Sequence, residues 1–242
     1  MAVAAGRSSP RGWRLDELAS AGRENVDVNH VGHYDDKEDA NAAEEVELLR
    51  GLGLDERSEV VDLGAGTGQF TVVVARACAR VTAVDISPVM LARLRAKVAA
   101  SGSSNVDIVE AGFLSYEHAG GAADFVYSRW ALHHLPDFWK SAALHRMRTL
   151  LRPGGILRLS DIAYSFDPAE AEERIEEWCA SVPAQATGDA AWIRADIEEH
   201  VRDEHSTFTW LLEPMIERSG FQIEDAWHSS DGFFAKYVAR AV

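Results

Sequence analysis

The sequence predicts an α/β protein with a doubly wound, mostly parallel sheet. Short apolar runs alternate with segments of helix length between residues 60 and 162, as in parallel strands joined by helices. A turn with three glycines follows the first of these runs. The chain has 242 residues, of which 47% are hydrophobic, so it can form one such domain with a smaller attachment.

Five strands are predicted along the alternating region, at 60–63, 81–84, 106–109, 124–128 and 155–162. The helices predicted between them span 69–79, 88–100 and 135–151. Ser87 and Pro88 are typical of an N-cap followed by proline at the first helical position. Pro153-Gly154-Gly155 is predicted to end the third of these helices before the last strand begins.

Beyond residue 162 strands and helices no longer alternate regularly. Helices are predicted there at 167–180, 192–205 and 208–219. An antiparallel closing pair of strands is predicted at 221–227 and 233–239, joined by a Ser-Ser-Asp-Gly turn. The insertion at about 163–209 is therefore expected to be mainly helical, on a domain that spans residues 40–242.

Residues 1–39 are predicted to form a flexible N-terminal segment. A short helix is expected at 13–21, followed by a polar stretch at 22–39 that lacks an apolar stripe. That stretch fits either a solvated linker or a mobile lid. The next helix is predicted at 40–52.

The composition disfavours several classes of protein. With 24 Lys and Arg against 39 Asp and Glu, the net charge of −15 argues against nucleic acid as a partner. The two cysteines, Cys78 and Cys179, form no paired motif, so neither a disulfide framework nor a metal site is expected. No apolar run approaches the roughly 18 residues of a membrane span, and no signal peptide is expected. These features predict a cytoplasmic protein without a membrane partner, and a homodimer stays open.

The strongest chemical signal is V-V-D-L-G-A-G-T-G at 60–68, where an apolar strand enters a tight turn. Gly64, Gly66 and Gly68 permit positive φ angles and let a ligand approach the backbone. The next helix begins there, so its free N–H groups and its dipole face that ligand. No Gly-Lys-Ser/Thr step follows, which excludes a P-loop but leaves a dinucleotide site open. Asp85 ends the second strand, where a carboxylate either binds ribose hydroxyls or caps the next helix.

Four motifs in this order resemble the class I S-adenosylmethionine-dependent methyltransferases. They are V-D-L-G-A-G-T-G, A-V-D-I-S, D-F-V-Y-S-R-W-A-L-H-H-L and L-R-P-G-G-I-L-R-L-S-D. The resemblance covers about residues 40–162, and the closing strand pair also fits it. It implies a Rossmann-like sheet, S-adenosylmethionine as the cofactor and an N-terminal lid. A nicotinamide dehydrogenase is disfavoured because the family has this D-x-G-x-G-x-G form of the loop.

The resemblance also implies which residues bind the cofactor. The glycine loop would surround its amino-acid end, Asp85 its ribose and the following turn its adenine. The expected set is Asp62, Gly64, Gly66, Thr67, Gly68, Asp85, Ile86, Met90, Gly112, Phe113 and Ser128. Many relatives carry a Gly-Asp-Ala-like triplet after the third strand, and its carboxylate meets the adenine amino group. The matching stretch here is Ala111-Gly112-Phe113, so adenine recognition through the Phe113 backbone and apolar contact is expected instead.

Three residues are candidates for the catalytic step. Methyl transfer needs a nucleophile aligned about 3 Å from the methyl carbon, and some nucleophiles also need a base. His133 and His134 follow the fourth strand, at the edge of the sheet where α/β folds place ligands. His133 is the preferred base, and the alternative is that both histidines are structural. Tyr34 is the third candidate, because relatives carry an aromatic residue in the lid; the alternative is an exposed tyrosine in a linker.

In the fold that the resemblance implies, the insertion at about 163–209 commonly forms a helical substrate cap. Aromatic residues in and beside this cap predict a small, partly apolar substrate. The residues expected to contact it are Trp130, Tyr164, Trp192, His205 and Trp210. Trp178 and His200 belong to the same region, and the alternative for each of these residues is a place in the core of the cap.

The leading hypothesis is therefore a methyltransferase that moves the sulfonium methyl group to O, N or C of a small molecule by in-line displacement. Such an enzyme needs no metal. One alternative is an enzyme of the same fold with non-methylating chemistry, such as cyclisation of the cofactor itself. A non-catalytic binding protein is the second alternative, and the intact glycine loop and Asp85 argue against it.

Overall fold

The computed structural model describes residues 12–28, 31, 34–37, 40–183 and 192–242. Residues 1–11 of the segment predicted to be flexible, and residues 184–191 of the expected cap, lie outside the described part.

A mixed sheet forms the centre of the fold. In chain order its strands are β1 (Glu59–Leu63), β2 (Arg80–Asp85), β3 (Val106–Glu110), β4 (Ala123–Arg129), β5 (Leu151–Tyr164), β6 (Thr207–Phe208), β7 (Phe221–His228) and β8 (Phe234–Ala241). They lie side by side in the order β3-β2-β1-β4-β5-β8-β7, with β6 paired to the end of β5. β1 to β5 are parallel, and β8 and β7 close the sheet in antiparallel pairs. The predicted fold class is thereby confirmed.

The helices lie before the first strand, between the strands and in the insertion after β5. In chain order they are α1 (Arg23–Val26), α2 (Tyr34–Lys37), α3 (Ala42–Gly51), α4 (Gln69–Val74), α5 (Pro88–Ser101), α6 (Asp137–Leu150), α7 (Ala171–Ser181), α8 (Arg194–Asp203) and α9 (Thr209–Arg218). Short 3-10 turns occur at Leu132–His134 and Pro168–Glu170. Among the described residues, no helix is both long and apolar enough to cross a bilayer.

Neighbouring strand residues supply two separate cores, because successive side chains point to opposite faces of a sheet. On one face Val61 packs in the cluster that contains Leu144 of α6. On the other face Val60 packs in the cluster that contains Leu49 of α3 and Val74 of α4. Both faces are covered, which explains why the parallel strands read as continuous apolar runs.

One predicted helix and two predicted boundaries are wrong. Residues 13–21 form turns instead of a helix. α4 ends at Val74 rather than near residue 79, and the Asn105 side chain donates to the carbonyls of Ala75 and Cys78 in the turn that follows. Pro153-Gly154-Gly155 lies inside β5, which begins at Leu151, and the register with β4 shifts beside it.

The insertion after β5 contains α7 and α8. Arg194 at the start of α8 donates to both carboxylate oxygens of Glu176 in α7, at 2.9 and 2.8 Å. Trp178 of α7 lies edge-on to His200 of α8, with ring centroids 5.8 Å apart. These contacts hold the two helices against each other beside the carboxyl end of β5.

Candidate active site

The loop after β1 is folded around its glycines. Gly64 and Gly66 have φ angles of 74° and 54°, a region that favours glycine. The N–H groups of Gly64 and Ala65 donate to the Val84 carbonyl at 2.9 and 3.0 Å, which ties the loop to the end of β2. A Cβ on Gly64 would collide with Ala131, whereas a Cβ on Gly66 would meet no atom within 4 Å. The loop therefore packs closely on one side and leaves open space on the other.

Asp85 stands at the end of β2, which pairs with β1. The order of the strands reverses between β1 and β4. Its two carboxylate oxygens accept hydrogen bonds from the N–H groups of Gly66 and Ser87, each at 2.8 Å. Burial raises the pKa of this carboxyl against the opposing effect of these bonds. Each oxygen keeps a further lone pair that could accept a bond from a ligand hydroxyl.

The open side of the loop faces a cavity of about 650 Å³, including space open to solvent, which we call the glycine-loop cavity. Seven of the residues expected to bind the cofactor line it: Gly64, Gly66, Asp85, Ile86, Met90, Gly112 and Phe113. Asp62 and Thr67 line a smaller neighbouring cavity, which shares Gly64 and Gly66 with it. Gly68 and Ser128 line neither of the two; Gly68 packs against Leu94, and Ser128 is fully buried in β4.

The N-terminal segment covers this cavity, and Ala21, Asn25 and Tyr34 contribute to its lining. Asp35 anchors the segment, because Lys97 Nζ lies 2.5 Å from its carboxylate and Thr67 Oγ1 donates to it at 2.5 Å. Nearer the start of the segment, Ser87 Oγ donates to the Asn25 carbonyl at 2.5 Å. The segment predicted as either a linker or a lid thus lies on the loop and on the start of α5.

Glu17 is a site residue that the sequence did not single out. Its carboxylate accepts from Leu114 N and Ser115 Oγ, both at 2.9 Å, and occupies the space that a side chain on Gly112 would need. Burial raises its pKa against the opposing hydrogen bonds. An acidic group therefore lies beside Gly112 and Phe113, the stretch that lacks the carboxylate many relatives carry there. No local signal could have found it, because Glu17 reaches this place only through the packing of the N-terminal segment.

Trp130 connects the glycine-loop cavity to a second cavity. Its φ angle of 48° is unusual for a bulky residue, and its N–H donates to the Ser160 carbonyl at 2.9 Å. The Arg129 guanidinium stacks on its ring at 3.7 Å from the centroid. Trp130 and Tyr34 line both cavities, so the two spaces meet at these side chains.

The second cavity, which we call the aromatic cavity, has a volume of about 710 Å³, including space open to solvent. It is lined by Tyr34, Trp130, His133, Ile162, Trp178, Val182, Trp192, Ile197, His200 and Phe234. Among these described lining residues there is no lysine or arginine. Two of the expected substrate residues, Trp130 and Trp192, are therefore brought together with Trp178 and His200.

The other three expected substrate residues lie outside this lining. Tyr164 stands behind it, stacked on Phe166 with ring centroids 5.3 Å apart, and its hydroxyl interacts with Ser206. His205 is exposed, and Trp210 is exposed over 55% of its surface. Helix periodicity could not show that His205 and Trp210 lie outside the lining of the cavity, because the direction of their side chains depends on how α8 and α9 pack.

The candidate bases lie in a buried cluster of histidines and carboxylates. Asp161 Oδ1 is 2.5 Å from His133 Nδ1, and Glu204 Oε2 is 3.2 Å from His133 Nε2. Burial disfavours charge on His133, but the two carboxylates outweigh it and raise its pKa to about 10. His134 points instead into the glycine-loop cavity, where Asn25 Nδ2 lies 3.0 Å from its Nε2. Burial and the neighbouring His133 lower the pKa of His134 to about 3.

Comparisons with known proteins agree with this architecture. Residues 60–155 match the family described as a methyltransferase domain. The chain is 32% identical over 191 residues to a trans-aconitate 2-methyltransferase of Delftia acidovorans, which covers 76% of this chain and 66% of that protein. The chain spans about two thirds or less of the length of the trans-aconitate 2-methyltransferases that it matches.

Solved structures share the fold at low sequence identity. The N-methyltransferase NodS of Bradyrhizobium japonicum, in complex with S-adenosylhomocysteine, has a TM-score of 0.62 at 17% identity and covers 94% of this chain and 99% of its own. The cyclase SpnF has a TM-score of 0.61 at 18% identity and covers 82% of this chain and 80% of its own. By its sheet order, its glycine loop and these relatives, the chain belongs to the class I S-adenosylmethionine-dependent methyltransferase family.

Proposed function

We propose that this protein binds S-adenosylmethionine in the glycine-loop cavity and transfers its methyl group to a small molecule in the aromatic cavity. The observation that carries the proposal is the junction of the two cavities at Tyr34 and Trp130. A methyl donor on one side of this junction and an acceptor on the other would meet with little water between them, as an in-line displacement requires.

The lining of the glycine-loop cavity fits the cofactor. Gly66 leaves open the space that any side chain would fill, so a ligand can approach the backbone there. Asp85 keeps lone pairs for the two ribose hydroxyls, and the apolar side chains of Ile86 and Met90 would pack on the adenine. When bound, the cofactor supplies a methyl group on a positively charged sulfur, which is a good leaving group.

Glu17 would complete the adenine site. Its carboxylate stands beside Gly112 and Phe113, where the expected contacts to adenine included no acidic group. A carboxylate oxygen at this place can accept a hydrogen bond from the exocyclic amino group of adenine. The N-terminal segment would then act as a lid that also takes part in recognising the base, with Asp35 and Lys97 holding it closed.

The aromatic cavity favours a neutral, partly apolar acceptor. Trp130, Trp178 and Trp192 offer flat apolar walls, and the described lining has no lysine or arginine to pair with a carboxylate. The charge of His133 is already paired with Asp161 and Glu204. The trans-aconitate 2-methyltransferase relatives are named for a tricarboxylic acid, which would leave several charges unpaired here. The acceptor therefore differs in class from trans-aconitate, and with a net charge of −15 nucleic acid is disfavoured as well.

Three side chains would act on the reacting groups. Tyr34 would close the junction and exclude water, because it lines both cavities. His134 faces the glycine-loop cavity and would pack beside the methyl-donor end of the cofactor. His133 lines the aromatic cavity, but both its nitrogens lie against carboxylates, so it would contact the acceptor through its ring. The atom that receives the methyl group, O, N or C, is open.

A transfer assay with radiolabelled methyl donor tests this function. The purified protein is incubated with S-adenosylmethionine and a panel of small phenols, alcohols, amines and carboxylic acids. Release of S-adenosylhomocysteine together with a labelled acceptor is expected for at least one neutral aromatic compound. Release of methylthioadenosine without an acceptor would point to cyclisation of the cofactor instead. No binding of S-adenosylhomocysteine by calorimetry would overturn the proposal altogether.

A further inference from the structure

The buried cluster beside the aromatic cavity contains a set of groups that could bind a metal. His133, His200 and Glu204 each direct one ligand atom to a common point, and these atoms all lie within 4.8 Å of one another. His133 and His200 are 4% and 8% exposed, and the Glu204 side chain is 12% exposed. The three come from the turn after β4, from α8 and from the residue that follows α8.

The contacts inside this set are close but do not satisfy the carboxylate. Glu204 Oε2 lies 3.2 Å from His133 Nε2 and also contacts His200 Nδ1. The same oxygen is fully buried and forms no contact with the angles of a hydrogen bond. Buried carboxylate oxygens are normally hydrogen-bonded, so this one requires an explanation. Convergence of three ligand atoms is the arrangement that a shared cation would use, and ion pairs of Glu204 with the two histidines are the alternative.

The outer nitrogens of both histidines are engaged on the far side. Asp161 lies 2.5 Å from His133 Nδ1, and Ser206 Oγ lies 2.9 Å from His200 Nε2. Metal-binding histidines usually have such an outer partner, often a carboxylate, which fixes the tautomer and aims the other nitrogen at the ion. In the neutral ring that donates from Nδ1 to Asp161, the Nε2 lone pair faces Glu204 and His200, so a metal ion would displace the proton that Nε2 otherwise holds against Glu204.

The charges of the cluster also suit a divalent cation. Asp161 and Glu204 bring two negative charges into a buried place, and a 2+ ion with neutral histidines would balance them. The buried Lys140 is engaged elsewhere, because its Nζ donates to Asp137 at 2.9 Å and also contacts the His205 carbonyl.

We propose that His133, His200 and Glu204 bind one divalent transition-metal ion in the wall of the aromatic cavity. Two imidazoles and one carboxylate are the donor set of several zinc enzymes, and they leave a coordination position for water or substrate. His133 and His200 line the cavity, so that position opens towards its contents. No metal is expected from the sequence, because methyl transfer requires none and the two cysteines form no zinc motif. His200 and Glu204 lie four residues apart, but His133 joins them only through the fold.

The role of the ion rests on the proposed function, whereas its binding does not. Bound beside the junction of the two cavities, the ion would coordinate an oxygen of the acceptor and favour its deprotonation. The acceptor class narrows accordingly to phenols and other hydroxyl compounds. The methyl group would then pass from sulfur to that oxygen, and the acceptor proton would leave to solvent.

Titration of the metal-free protein with Co²⁺ tests the binding site. The protein is stripped with a chelator, and the visible ligand-field bands of Co²⁺ are recorded as the ion is added. One equivalent per chain is expected, displaced by Zn²⁺, without the near-ultraviolet bands of a thiolate ligand from Cys78 or Cys179. If the stripped wild-type protein binds less than about one tenth of an equivalent of Co²⁺ per chain, the proposal is overturned. The cluster of His133, His200 and Glu204 would then be a charged hydrogen-bond network without a metal ion.

Variants locate the bound ion. His200→Ala and Glu204→Gln are expected to weaken Co²⁺ binding by about 100-fold or more, and Asp161→Asn by about 10- to 100-fold. His228→Ala is the matched control, because His228 pairs with Glu213 on the surface at the far end of β7. Full binding by His200→Ala, or loss in the control, would refute this location. If a variant does not fold, the wild-type titration still decides.

Calorimetry with S-adenosylhomocysteine separates this proposal from the proposed function. Stripped and Co²⁺-loaded protein are expected to bind it with affinities within about threefold of each other, since none of the three ligands is expected to touch the cofactor. Metal binding without S-adenosylhomocysteine binding would overturn the proposed function alone. The reverse result would overturn the metal site alone.

Discussion

The glycine-loop cavity and the aromatic cavity are neighbours, but they are built in different ways. Most of the first is formed by short turns at the ends of β1, β2 and β3, and backbone groups make its main contacts. The second is formed by side chains from α2, the turn after β4, β5, β8 and the segments of α7 and α8, which meet only in the folded protein. The first cavity therefore depends on backbone conformation, whereas the second depends on long-range packing.

This difference predicts different responses to substitution. A single Cβ should disrupt the glycine-loop cavity, because its backbone has no room to adjust. Changes in polar side chains around either cavity should give smaller effects that are specific to one ligand group.

The largest effect is expected for Gly64→Ala. The added Cβ would collide with Ala131 at a φ angle of 74°, which a residue with a side chain rarely adopts. We expect affinity for S-adenosylhomocysteine to fall by about 100-fold, or about 2.7 kcal/mol, in calorimetry. Gly102→Ala is the control: its φ is 70°, but a Cβ there would meet no atom within 4 Å. Equal affinities for Gly64→Ala and Gly102→Ala would contradict the role of the loop.

Asp85→Asn should have the next largest effect. The amide retains one acceptor oxygen but loses the charge that strengthens bonds to the ribose hydroxyls. We expect about tenfold weaker binding of S-adenosylhomocysteine, or about 1.4 kcal/mol. Asp107→Asn serves as the control, because Asp107 is half-exposed and pairs with Arg80. Unchanged affinity in the Asp85 variant would remove this residue from the cofactor site.

Glu17→Gln tests the contribution of the N-terminal segment. The glutamine side chain can still accept from Leu114 through its single oxygen, but its amide nitrogen can only donate to Ser115, and the charge is lost. We expect about fivefold weaker binding of S-adenosylhomocysteine, close to the value of one hydrogen bond. The preference for the adenine compound over its 6-oxo analogue should fall in parallel.

Glu117→Gln is the control, because Glu117 is exposed on the loop after β3. This variant should keep the preference for the adenine compound over its 6-oxo analogue. If the Glu17 and Glu117 variants discriminate between the two bases equally well, Glu17 has no part in recognising adenine.

The smallest expected effect is on how the free energy of unfolding depends on pH. Burial and the neighbouring Asp85 raise the pKa of Asp62 to about 7, while Thr71 donates to it. Between about pH 4 and pH 7 the folded protein therefore holds a proton here that the unfolded chain has lost. The free energy of unfolding should consequently fall as the pH rises through this window. Asp62→Asn removes the titrating group, so its Tm should fall less than that of the wild type between pH 5 and pH 7.5.

Asp225→Asn is the control for this measurement, because Asp225 is exposed on β7. Parallel Tm curves for the wild type and the Asp62 variant would show that Asp62 is ionised in the folded protein.

The same division between local turns and long-range packing explains what could be predicted from the sequence. The glycine loop and Asp85 were identified because both lie next to the strands that position them. The central strands were placed well because buried parallel strands are continuous apolar runs. The place of Pro153-Gly154-Gly155 inside β5 was missed, since these residue types usually interrupt regular structure and only the register shift with β4 accommodates them.

The aromatic cavity was predicted only in outline. Trp130 and Trp192 line it, as expected, but His205 and Trp210 are exposed. Composition alone placed aromatic residues in this region, whereas their directions depend on how α8 and α9 pack. Glu17 at the adenine side and Glu204 beside His133 were not assigned these roles, because both contacts join segments far apart in the sequence.

The central claim is that the cofactor lies in the glycine-loop cavity with its sulfur directed towards the aromatic cavity. The most direct test is a crystal structure of the protein with S-adenosylhomocysteine. Our account predicts ribose hydroxyls on Asp85, adenine beside Glu17 and the sulfur at the junction formed by Tyr34 and Trp130. A ligand bound elsewhere, or one whose sulfur points away from that junction, would contradict it.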